Sequence, residues 1–392
     1  MMRSQSRGKN HAAQASRLQH QLSPSVSTEK VEDNQETEAC LIDLGTAEGS
    51  EKRLNHNSPL SFASSNEYVS GVKIPPPQPS PAESRRIFLD NLRVVEGVAL
   101  TNTIDDSSPR LDFKFIKKNV LGTGVEEATD EFMIGCTCRK NNGRDIGCEY
   151  TSCECLEDSA RTNEGRKVFP YAAGKDTTHC LRDFYLSHGW HVFECNARCN
   201  CNSNCKNRVV QHGRKVPLEI FKTRNRGWGL RCKVDLKRGQ FIDTYRGEII
   251  TSEEADRRGK ERDADADNYF FGFDMWEESK GYVCDGMFMG GPSRFINHSC
   301  EPNCRIITAS YNHADVNIYD LAFFATEPIP AMTELTFDYG EDIGDDRDEG
   351  EDDLEQSRKI TAEKAKEMEK ERGYRPARCL CGTRSCRGYF FT

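Results

Sequence analysis

Short stretches in which apolar and polar residues alternate run through the second half of the chain. An alternation with a period of two is typical of β-strands that have one buried face. The pattern predicts strands at residues 218–221, 240–250, 269–273, 317–324 and 334–339. Many short strands with few helical stretches between them predict a mostly β fold.

One helix is predicted among these strands. Thr251 stands three residues before Glu254, which is the spacing of a capping box at a helix N-terminus. We therefore expect a helix that begins after Thr251 and runs to about Arg262. It would be inserted in the β core.

The first 85 residues differ in composition from the rest. They are rich in Ser, Gln, Asn and Glu, and their only aromatic residues are Phe62 and Tyr68. Such a segment cannot bury enough apolar surface to offset the loss of chain entropy, so we expect residues 1–85 to be a disordered tail. Residues 86–133 are more apolar, and we expect them to wrap onto the domain that follows.

Acidic residues are concentrated in one stretch. Residues 341–355 hold ten acids and one base, a net charge of −9, and the whole chain also carries −9. The other residues therefore balance to zero, which argues against a protein that binds DNA through a general positive field. Residues 341–374 contain this run and many helix formers without an apolar stripe, so we expect a charged, mobile and partly helical insertion.

The chain has eighteen cysteines, but neither a signal segment at its start nor a run of eighteen apolar residues. This combination favours metal binding over disulfides and predicts no membrane span. Nine thiolates fill the twelve ligand positions of three tetrahedral zinc ions if three of them each bridge two ions. The nine candidates, within residues 134–213, are Cys136, Cys138, Cys148, Cys153, Cys155, Cys195, Cys199, Cys201 and Cys205.

Two other interpretations of these cysteines are open. They could form disulfides or remain as scattered buried thiols. They could also belong to a two-zinc cluster of the kind found in fungal transcription activators. That cluster needs paired C-x2-C spacings and a basic surface, and the sequence offers neither.

Two polar motifs lie inside otherwise apolar sequence. Residues 294–300 read Arg-Phe-Ile-Asn-His-Ser-Cys, and residues 334–339 read Glu-Leu-Thr-Phe-Asp-Tyr. Asn297, His298 and Tyr339 would each cost about 1–3 kcal/mol if they were buried without hydrogen bonds, so they indicate a ligand or a reaction. Taken together, the motifs resemble the two signature motifs of the SET-domain protein lysine methyltransferases.

The resemblance covers about residues 110–392. The spacing of the nine cysteines resembles the three-zinc pre-SET motif of histone H3 lysine-9 methyltransferases of the fungal heterochromatin type. This implies the SET-domain β fold, with small sheets around a pseudoknot: a pre-SET domain at 134–213, a SET domain at 214–340 and a post-SET segment at 375–392. It also implies a fourth zinc ion, bound by Cys300, Cys379, Cys381 and Cys386, with Cys304 as a competitor of Cys300.

The activity implied by the family is methyl transfer from S-adenosylmethionine to a lysine amine. By resemblance, Tyr245, Tyr339 and His298 would be catalytic. Phe337 occupies the position that limits the product, and a phenylalanine there implies di- or trimethylation. The implied cofactor contacts are Arg226, Gly227, Trp228, Tyr269, Arg294, Asn297, His298 and a ring of the C-terminal tail, Phe391 beside Phe390.

The implied substrate is the N-terminal tail of histone H3 on the nucleosome. It would bind as an added strand beside residues 269–274 or after Tyr339. The implied location is heterochromatin in the nucleus, reached through adaptor proteins, without sequence-specific DNA binding or a membrane. Two alternatives are a different target lysine and an inactive, zinc-stabilised scaffold that only binds histone tails.

Overall fold

The computed structural model describes residues 79–129, 131, 133–138, 148, 153–174, 179–262, 269–276, 278–340, 360–372 and 376–391, and two short strands before them. Those strands, β1 (Tyr68–Val69) and β2 (Val72–Lys73), pair antiparallel within a unit formed by residues 22–79. The other unit contains the described residues from Ser80 onward. It includes both polar motifs and all the candidate zinc ligands named above. The acidic run at residues 341–355 lies outside the described residues.

The large unit is built from short strands, so the prediction of a mostly β fold is confirmed. Its main sheets have the strand orders β14-β17-β8-β7-β3, β6-β15-β16-β9 and β11-β12-β10-β5, and the pairs β13-β4 and β18-β19 complete it. The strands are β3 (Val98–Thr101), β4 (Lys114–Phe115), β5 (Val120–Leu121), β6 (Val192–Phe193), β7 (Leu218–Lys222), β8 (Trp228–Cys232), β9 (Phe241–Tyr245), β10 (Glu248–Ile250), β11 (Phe270–Gly272), β12 (Val283–Asp285), β13 (Met289–Gly290), β14 (Asn297–His298), β15 (Cys304–Ser310), β16 (Asp320–Ala325), β17 (Glu334–Phe337), β18 (Pro376–Arg378) and β19 (Tyr389–Phe391).

The single strand expected at residues 240–250 is wrong, because the chain changes sheets in the middle of it. β9 pairs with β16, whereas β10 pairs with β12 and β5 in another sheet. The break falls at Arg246 and Gly247, where a Cβ atom at 247 would lie 2.4 Å from the Asp285 carbonyl oxygen. A glycine inside a strand pattern often marks such a close backbone approach.

The described helices are α1 (Pro81–Leu92), α2 (Asp183–His188), α3 (Ser252–Glu261) and α4 (Ala362–Arg372). The helix predicted after Thr251 is confirmed as α3, and the Thr251 hydroxyl accepts a hydrogen bond from the Glu254 N–H at 3.3 Å. α1 begins at Pro81 behind the N-cap Ser80, so regular structure starts inside the segment assigned to the tail. In the described part of the chain, every helix is too short or too polar to span a lipid bilayer.

The segment that follows the tail packs against the chain just before the Asn-His-Ser-Cys motif. Phe88 of α1 and Phe115 of β4 are both 1% exposed, and their ring centroids lie 5.5 Å apart. Each also lies 6.4 Å from the ring of Phe295. These contacts fix the short 3-10 helix Pro292–Phe295, which leads directly into β14.

Backbone pairing joins the cysteine-rich region to the sheets. β6 pairs in parallel with β15, and the N–H of Glu194, just after β6, donates to the Ser310 carbonyl oxygen at 2.8 Å. Glu194 is 1% exposed, and its carboxylate accepts hydrogen bonds from the Tyr171 hydroxyl at 2.6 Å and from the Val209 and Val210 N–H groups at 2.7 and 2.8 Å. These donors satisfy the buried charge from within the cysteine-rich region and so order the chain beside the junction.

The second half of the charged insertion is helical and docked onto the C-terminal segment. Ala365 of α4 is 1% exposed. The Ile360 N–H donates to the Arg387 carbonyl oxygen at 2.8 Å. Residues 360–372 therefore pack against the tail that carries the last three cysteines.

Phe88→Ala should lower the free energy of unfolding of the metal-loaded chain by about 3–5 kcal/mol, because it empties a fully buried site. Leu89→Ala is the matched control on the same helix, since Leu89 is 37% exposed. Its effect should stay within about 0.5 kcal/mol. Urea unfolding followed by tryptophan fluorescence measures both changes, and equal effects would refute the packing described for α1.

Candidate functional site

The two polar motifs lie side by side. β14 pairs in parallel with β17, which places Asn297 opposite Thr336 and His298 opposite Phe337. Just beyond β17, the Tyr339 hydroxyl donates a hydrogen bond of 2.8 Å to the carbonyl oxygen of residue 296. The polar groups that the sequence leaves without obvious partners are therefore gathered in one place.

His298 is buried, and both of its ring nitrogens have neighbours. Nδ1 accepts a hydrogen bond from the Tyr339 N–H at 3.2 Å, and Nε2 lies 3.4 Å from Cys300 Sγ. Burial lowers the pKa of His298 to about 4, against the opposing effect of Asp338. The imidazole is therefore neutral near pH 7 and can accept the Tyr339 hydrogen bond. The ring of Phe390 stacks on it at a centroid distance of 4.6 Å.

Tyr245 is the last residue of β9, and its side chain is buried. The hydroxyl donates to the Tyr269 carbonyl oxygen at 3.0 Å. Burial raises the pKa of Tyr245 well above its ordinary range, so the phenol keeps its proton. A Cβ atom at Gly286 would lie 2.4 Å from the Tyr245 oxygen, so only glycine leaves room for this hydroxyl.

A wall of aromatic rings connects the two tyrosines. Phe337 lies 4.6 Å from Tyr339 and 5.9 Å from Phe271 between ring centroids. Phe271 in turn lies 4.6 Å from Tyr245. On its other side Phe337 meets Phe323 at 5.1 Å. The result is an apolar surface that contains two neutral hydroxyl groups.

The Glu334 carboxylate connects the turn between β7 and β8 to β14. Glu334 binds the Arg226 Nη2 atom at 2.5 Å and the Asn297 Nδ2 atom at 2.9 Å. Asn297 Nδ2 also donates to the Trp228 carbonyl oxygen at 3.2 Å. Gly227 makes the turn with a φ of +63°, a conformation that favours glycine. Glu334 thus links two of the residues expected to bind the cofactor, Arg226 and Asn297, and Asn297 in turn binds Trp228. The sequence assigns no role to Glu334, although it begins the second motif.

Arg294 has a different environment from its neighbours in the motif. It is 8% exposed, and its guanidinium carbon lies 4.4 Å from the Phe113 ring centroid and 4.1 Å from that of Tyr269. Its Nε atom donates to the Gly286 carbonyl oxygen at 3.0 Å. The guanidinium therefore fixes the backbone at Gly286, next to the Tyr245 hydroxyl. Phe113, which lies outside both motifs, contributes its ring to the environment of Arg294.

The nine cysteines between residues 136 and 205 lie together. Four overlapping groups of four have all their sulfur atoms within 4.8 Å of one another. Sγ–Sγ distances include 3.4 Å for Cys136 and Cys148 and 3.3 Å for Cys155 and Cys199. A tetrahedral zinc ion with Zn–S bonds of about 2.3 Å separates its sulfurs by about 3.8 Å, so the donor set fits zinc. Cys180 is buried and belongs to none of these groups.

A second sulfur cluster lies at the end of the first polar motif. Cys300, Cys379, Cys381 and Cys386 also have their sulfur atoms within 4.8 Å of one another. Cys304 is outside this group, and its Sγ atom lies 3.3 Å from Asn303 Oδ1. The geometry therefore separates the two cysteines that the sequence leaves in competition.

The C-terminal segment that contains Cys379, Cys381 and Cys386 also places an aromatic ring at the site. Phe390 contacts both His298 and Tyr339, the latter at a centroid distance of 5.5 Å. The side chain of Phe391, which the sequence favours for this place, lies outside the described residues. Among the described side chains, the tail ring beside the two motifs is that of Phe390.

The strand that follows Tyr269 lies at the edge of its sheet. β11 pairs with β12, and the strand order places it at one end of this sheet. Asp274, just beyond it, is exposed. An extended peptide can add to such an edge through main-chain hydrogen bonds. The other candidate edge, after Tyr339, enters residues outside the described part.

Two family models match the chain. One, described as SET domain, matches residues 227–340, and the other, described as Pre-SET motif, matches residues 93–208. The H3 lysine-9 specific histone-lysine N-methyltransferase dim-5 of Neurospora crassa is 39% identical over 312 residues, covering 75% of this chain and 88% of the relative. The H3 lysine-9 specific enzyme of Schizosaccharomyces pombe is 39% identical over 314 residues, covering 79% of this chain and 58% of the relative.

Solved structures show the same fold. The Neurospora SET domain protein DIM-5, a histone lysine methyltransferase, superposes with a TM-score of 0.57 at 42% identity, covering 63% of this chain and 96% of that one. KRYPTONITE in complex with mCHH DNA, H3(1-15) peptide and SAH has a TM-score of 0.50 at 27% identity, covering 74% of this chain and 50% of that one.

Proposed function

The chain belongs to the SET-domain histone lysine methyltransferases, and we propose that it transfers methyl groups from S-adenosylmethionine to lysine 9 of histone H3. The observation that carries this proposal is the ring wall between Tyr245 and Tyr339, which lies beside the paired Asn-His-Ser-Cys and Glu-Leu-Thr-Phe-Asp-Tyr segments. The relatives named for H3 lysine-9 specificity supply the choice of substrate.

The ring wall suits a lysine amine that must lose its proton before it reacts. A free lysine has a pKa of about 10.4, so at pH 7 only roughly one amine in 10³ is neutral. An apolar channel disfavours the ammonium form and raises this fraction. The bound S-adenosylmethionine supplies the methyl group on a sulfonium, and the chain's task is to desolvate and orient the amine. Alignment of the reacting atoms then provides much of the acceleration.

The two tyrosines can orient the amine as hydrogen-bond acceptors. The Tyr245 hydroxyl already donates to the Tyr269 carbonyl oxygen, and the Tyr339 hydroxyl donates to that of Ile296. A hydroxyl oxygen that donates its proton still has lone pairs, and those of Tyr245 and Tyr339 can accept hydrogen bonds from the amine N–H groups. The nitrogen lone pair then points away from the tyrosines, as the transfer requires. His298 supports Tyr339 by accepting its backbone N–H.

The methyl donor would lie against the strip from Arg226 to Trp228 and against β14, under the ring of Phe390. Arg226, Gly227, Trp228, Asn297 and His298 are the residues we assign to its contacts. Tyr269 and Arg294 complete the expected set, with Arg294 acting through the backbone of Gly286.

The cysteine geometry supports three zinc ions in the first cluster and one in the second. The ligand sets we propose share Cys136, Cys148 and Cys195 as bridges, so nine thiolates fill twelve positions. Three Zn²⁺ ions and nine thiolates carry a net charge of −3, and Arg208, whose Nη2 atom lies 3.5 Å from Cys201 Sγ, offsets part of it. The sets are Cys136, Cys138, Cys148 and Cys153; Cys148, Cys195, Cys201 and Cys205; and Cys136, Cys155, Cys195 and Cys199.

The substrate peptide would add to the sheet beside its edge strand β11, next to the exposed Asp274. A carboxylate there suits the basic sequence of a histone tail. The setting we propose is heterochromatin in the nucleus, with adaptor proteins that recruit the enzyme. No sequence-specific DNA contact is part of this proposal.

The purified chain should methylate an H3 peptide that contains lysine 9 when S-adenosylmethionine is supplied. Tyr339→Phe should lower kcat by about 10²-fold, because the amine loses one orienting oxygen. Mass spectrometry of the peptide measures both. Methylation only of other lysines would overturn the choice of target, and binding of the peptide without methylation would indicate a scaffold.

Phe337→Tyr should shift the product from di- and trimethyl-lysine toward monomethyl-lysine. The added hydroxyl would enter the space beside Tyr339 and restrict the rotation that a second transfer requires. Phe323→Tyr is a matched control, since it adds the same hydroxyl to a neighbouring ring that contacts Phe337 at a centroid distance of 5.1 Å. An unchanged product distribution in Phe337→Tyr by mass spectrometry would contradict this role.

The purified chain should contain four zinc ions by elemental analysis. Cys300→Ser should reduce this number by one and weaken methylation, because the tail ring loses its anchor. Cys304→Ser should keep all four ions, since its sulfur lies outside both clusters. Loss of an ion from Cys304→Ser, or full retention in Cys300→Ser, would reverse the assignment.

A further inference from the structure

We propose that Glu334 is the positioning residue of the cofactor pocket, because it fixes which atom of Asn297 faces the methyl donor. The inference rests on the proposed function, and it concerns the direction of a hydrogen bond within that site. The Glu334 side chain is only 18% exposed, and that of Arg226 is 20% exposed. The carboxylate is therefore part of the pocket wall and is partly shielded from water.

The orientation of the Asn297 amide follows from its neighbours. Its Nδ2 atom lies 2.9 Å from Glu334 Oε1 and 3.2 Å from the Trp228 carbonyl oxygen. Both neighbours are acceptors, and an amide nitrogen has two N–H groups to give. The reversed amide would set its oxygen against two acceptors, which repel it, and would remove the hydrogen bond that Glu334 Oε1 receives. Glu334 and Trp228 together therefore hold the Asn297 nitrogen against the protein and leave its oxygen to face the cofactor.

The consequence is that Asn297 offers the cofactor only an oxygen. Both N–H groups are used, and among the described residues no donor is assigned to Oδ1. This atom can accept a hydrogen bond but cannot donate one, so it recognises an N–H or O–H group of the methyl donor. S-adenosylmethionine carries amine groups at its amino-acid end and on its adenine, and these are the class of partner that fits.

The same carboxylate also fixes the guanidinium of Arg226. Glu334 Oε2 lies 2.5 Å from Arg226 Nη2, while Arg226 Nη1 donates to the His298 carbonyl oxygen at 3.4 Å. A single acid thus ties the turn after β7 to both residues of β14. Charge-assisted hydrogen bonds of this kind are shorter and stronger than neutral ones.

The fold leaves the carboxylate little freedom. Glu334 is paired with Arg231 across β17 and β8, and its carbonyl oxygen accepts a hydrogen bond from Asn303 Nδ2 at 2.9 Å. Its side chain passes over Gly229, where a Cβ atom would lie 2.9 Å from Oε1. The absence of a side chain at 229 therefore makes the space that the acid occupies.

Exchanging the two partners tests the direction of the hydrogen bond. Asn297→Asp turns an oxygen toward the Glu334 carboxylate and should weaken SAH binding by about 100-fold, since a buried donor is replaced by a second charge. Glu334→Gln should weaken it by about tenfold, because Arg226 loses its charged partner. The double variant places an amide opposite a carboxylate again and should recover at least tenfold of the loss in Asn297→Asp. Isothermal titration calorimetry with SAH measures all four proteins.

Glu219→Gln is the matched control. Glu219 pairs with Arg231 at 2.5 Å in the same sheet, so this change breaks a similar ion pair that touches no proposed cofactor contact. SAH affinity should not change in it. In methyl-transfer assays the Glu334→Gln chain should show a raised KM for S-adenosylmethionine with an unchanged KM for the H3 peptide, a split that general destabilisation would not produce.

Two results would overturn the inference. One is wild-type SAH affinity in Glu334→Gln, and the other is a double variant that binds no better than Asn297→Asp alone. If the wild-type chain binds SAH and methylates H3, either of these variant results rejects the role of Glu334 and leaves the proposed function intact. A wild-type chain that neither binds SAH nor methylates H3 rejects the proposed function itself.

Discussion

Everything in this molecule depends on two segments that satisfy each other's buried polar groups. His298 and Tyr339 are 41 residues apart in sequence, yet the imidazole accepts the Tyr339 N–H. The Tyr339 hydroxyl returns to the backbone of the first segment at Ile296. Each such group would cost about 1–3 kcal/mol if it were buried alone. Neither segment can therefore be stable in this position without the other.

Two other segments of the chain contact this pair and hold it in place. Phe113 and Phe115 of the wrapping segment pack against Phe295, the second residue of the first motif. Cys300 lies two residues after His298 and meets the cysteines of the tail, with Cys379 Sγ at 3.7 Å. Thiolates at this distance repel each other unless a cation lies between them. The cysteine cluster of the tail and the paired polar segments are thus built on the same few residues.

The polar side chains of the pocket are mostly committed to the protein itself. Arg294 donates to Gly286, and the nitrogen of Asn297 and the guanidinium of Arg226 are bound to Glu334. What remains for ligands is a small number of oxygens in fixed directions. Groups fixed in this way need no reorganisation when the reaction occurs, which is how a site gains rate from geometry.

The sequence by itself determined the features that depend on local order: the alternation of the strands, the cap at Thr251, the two motifs and the spacing of the cysteines. It did not determine partners, since these are chosen across long distances by the sheets. Glu334 reaches Asn297 because β17 lies between β14 and β8, and the chain turns from one sheet into another at Gly247 because Asp285 lies close to it. The family resemblance already favours Cys300 over Cys304, and the tertiary structure brings Cys300 to the tail cysteines. The physical reason is that spacing along a chain fixes which residues are available, whereas hydrogen bonds and packing between distant strands fix which of them meet.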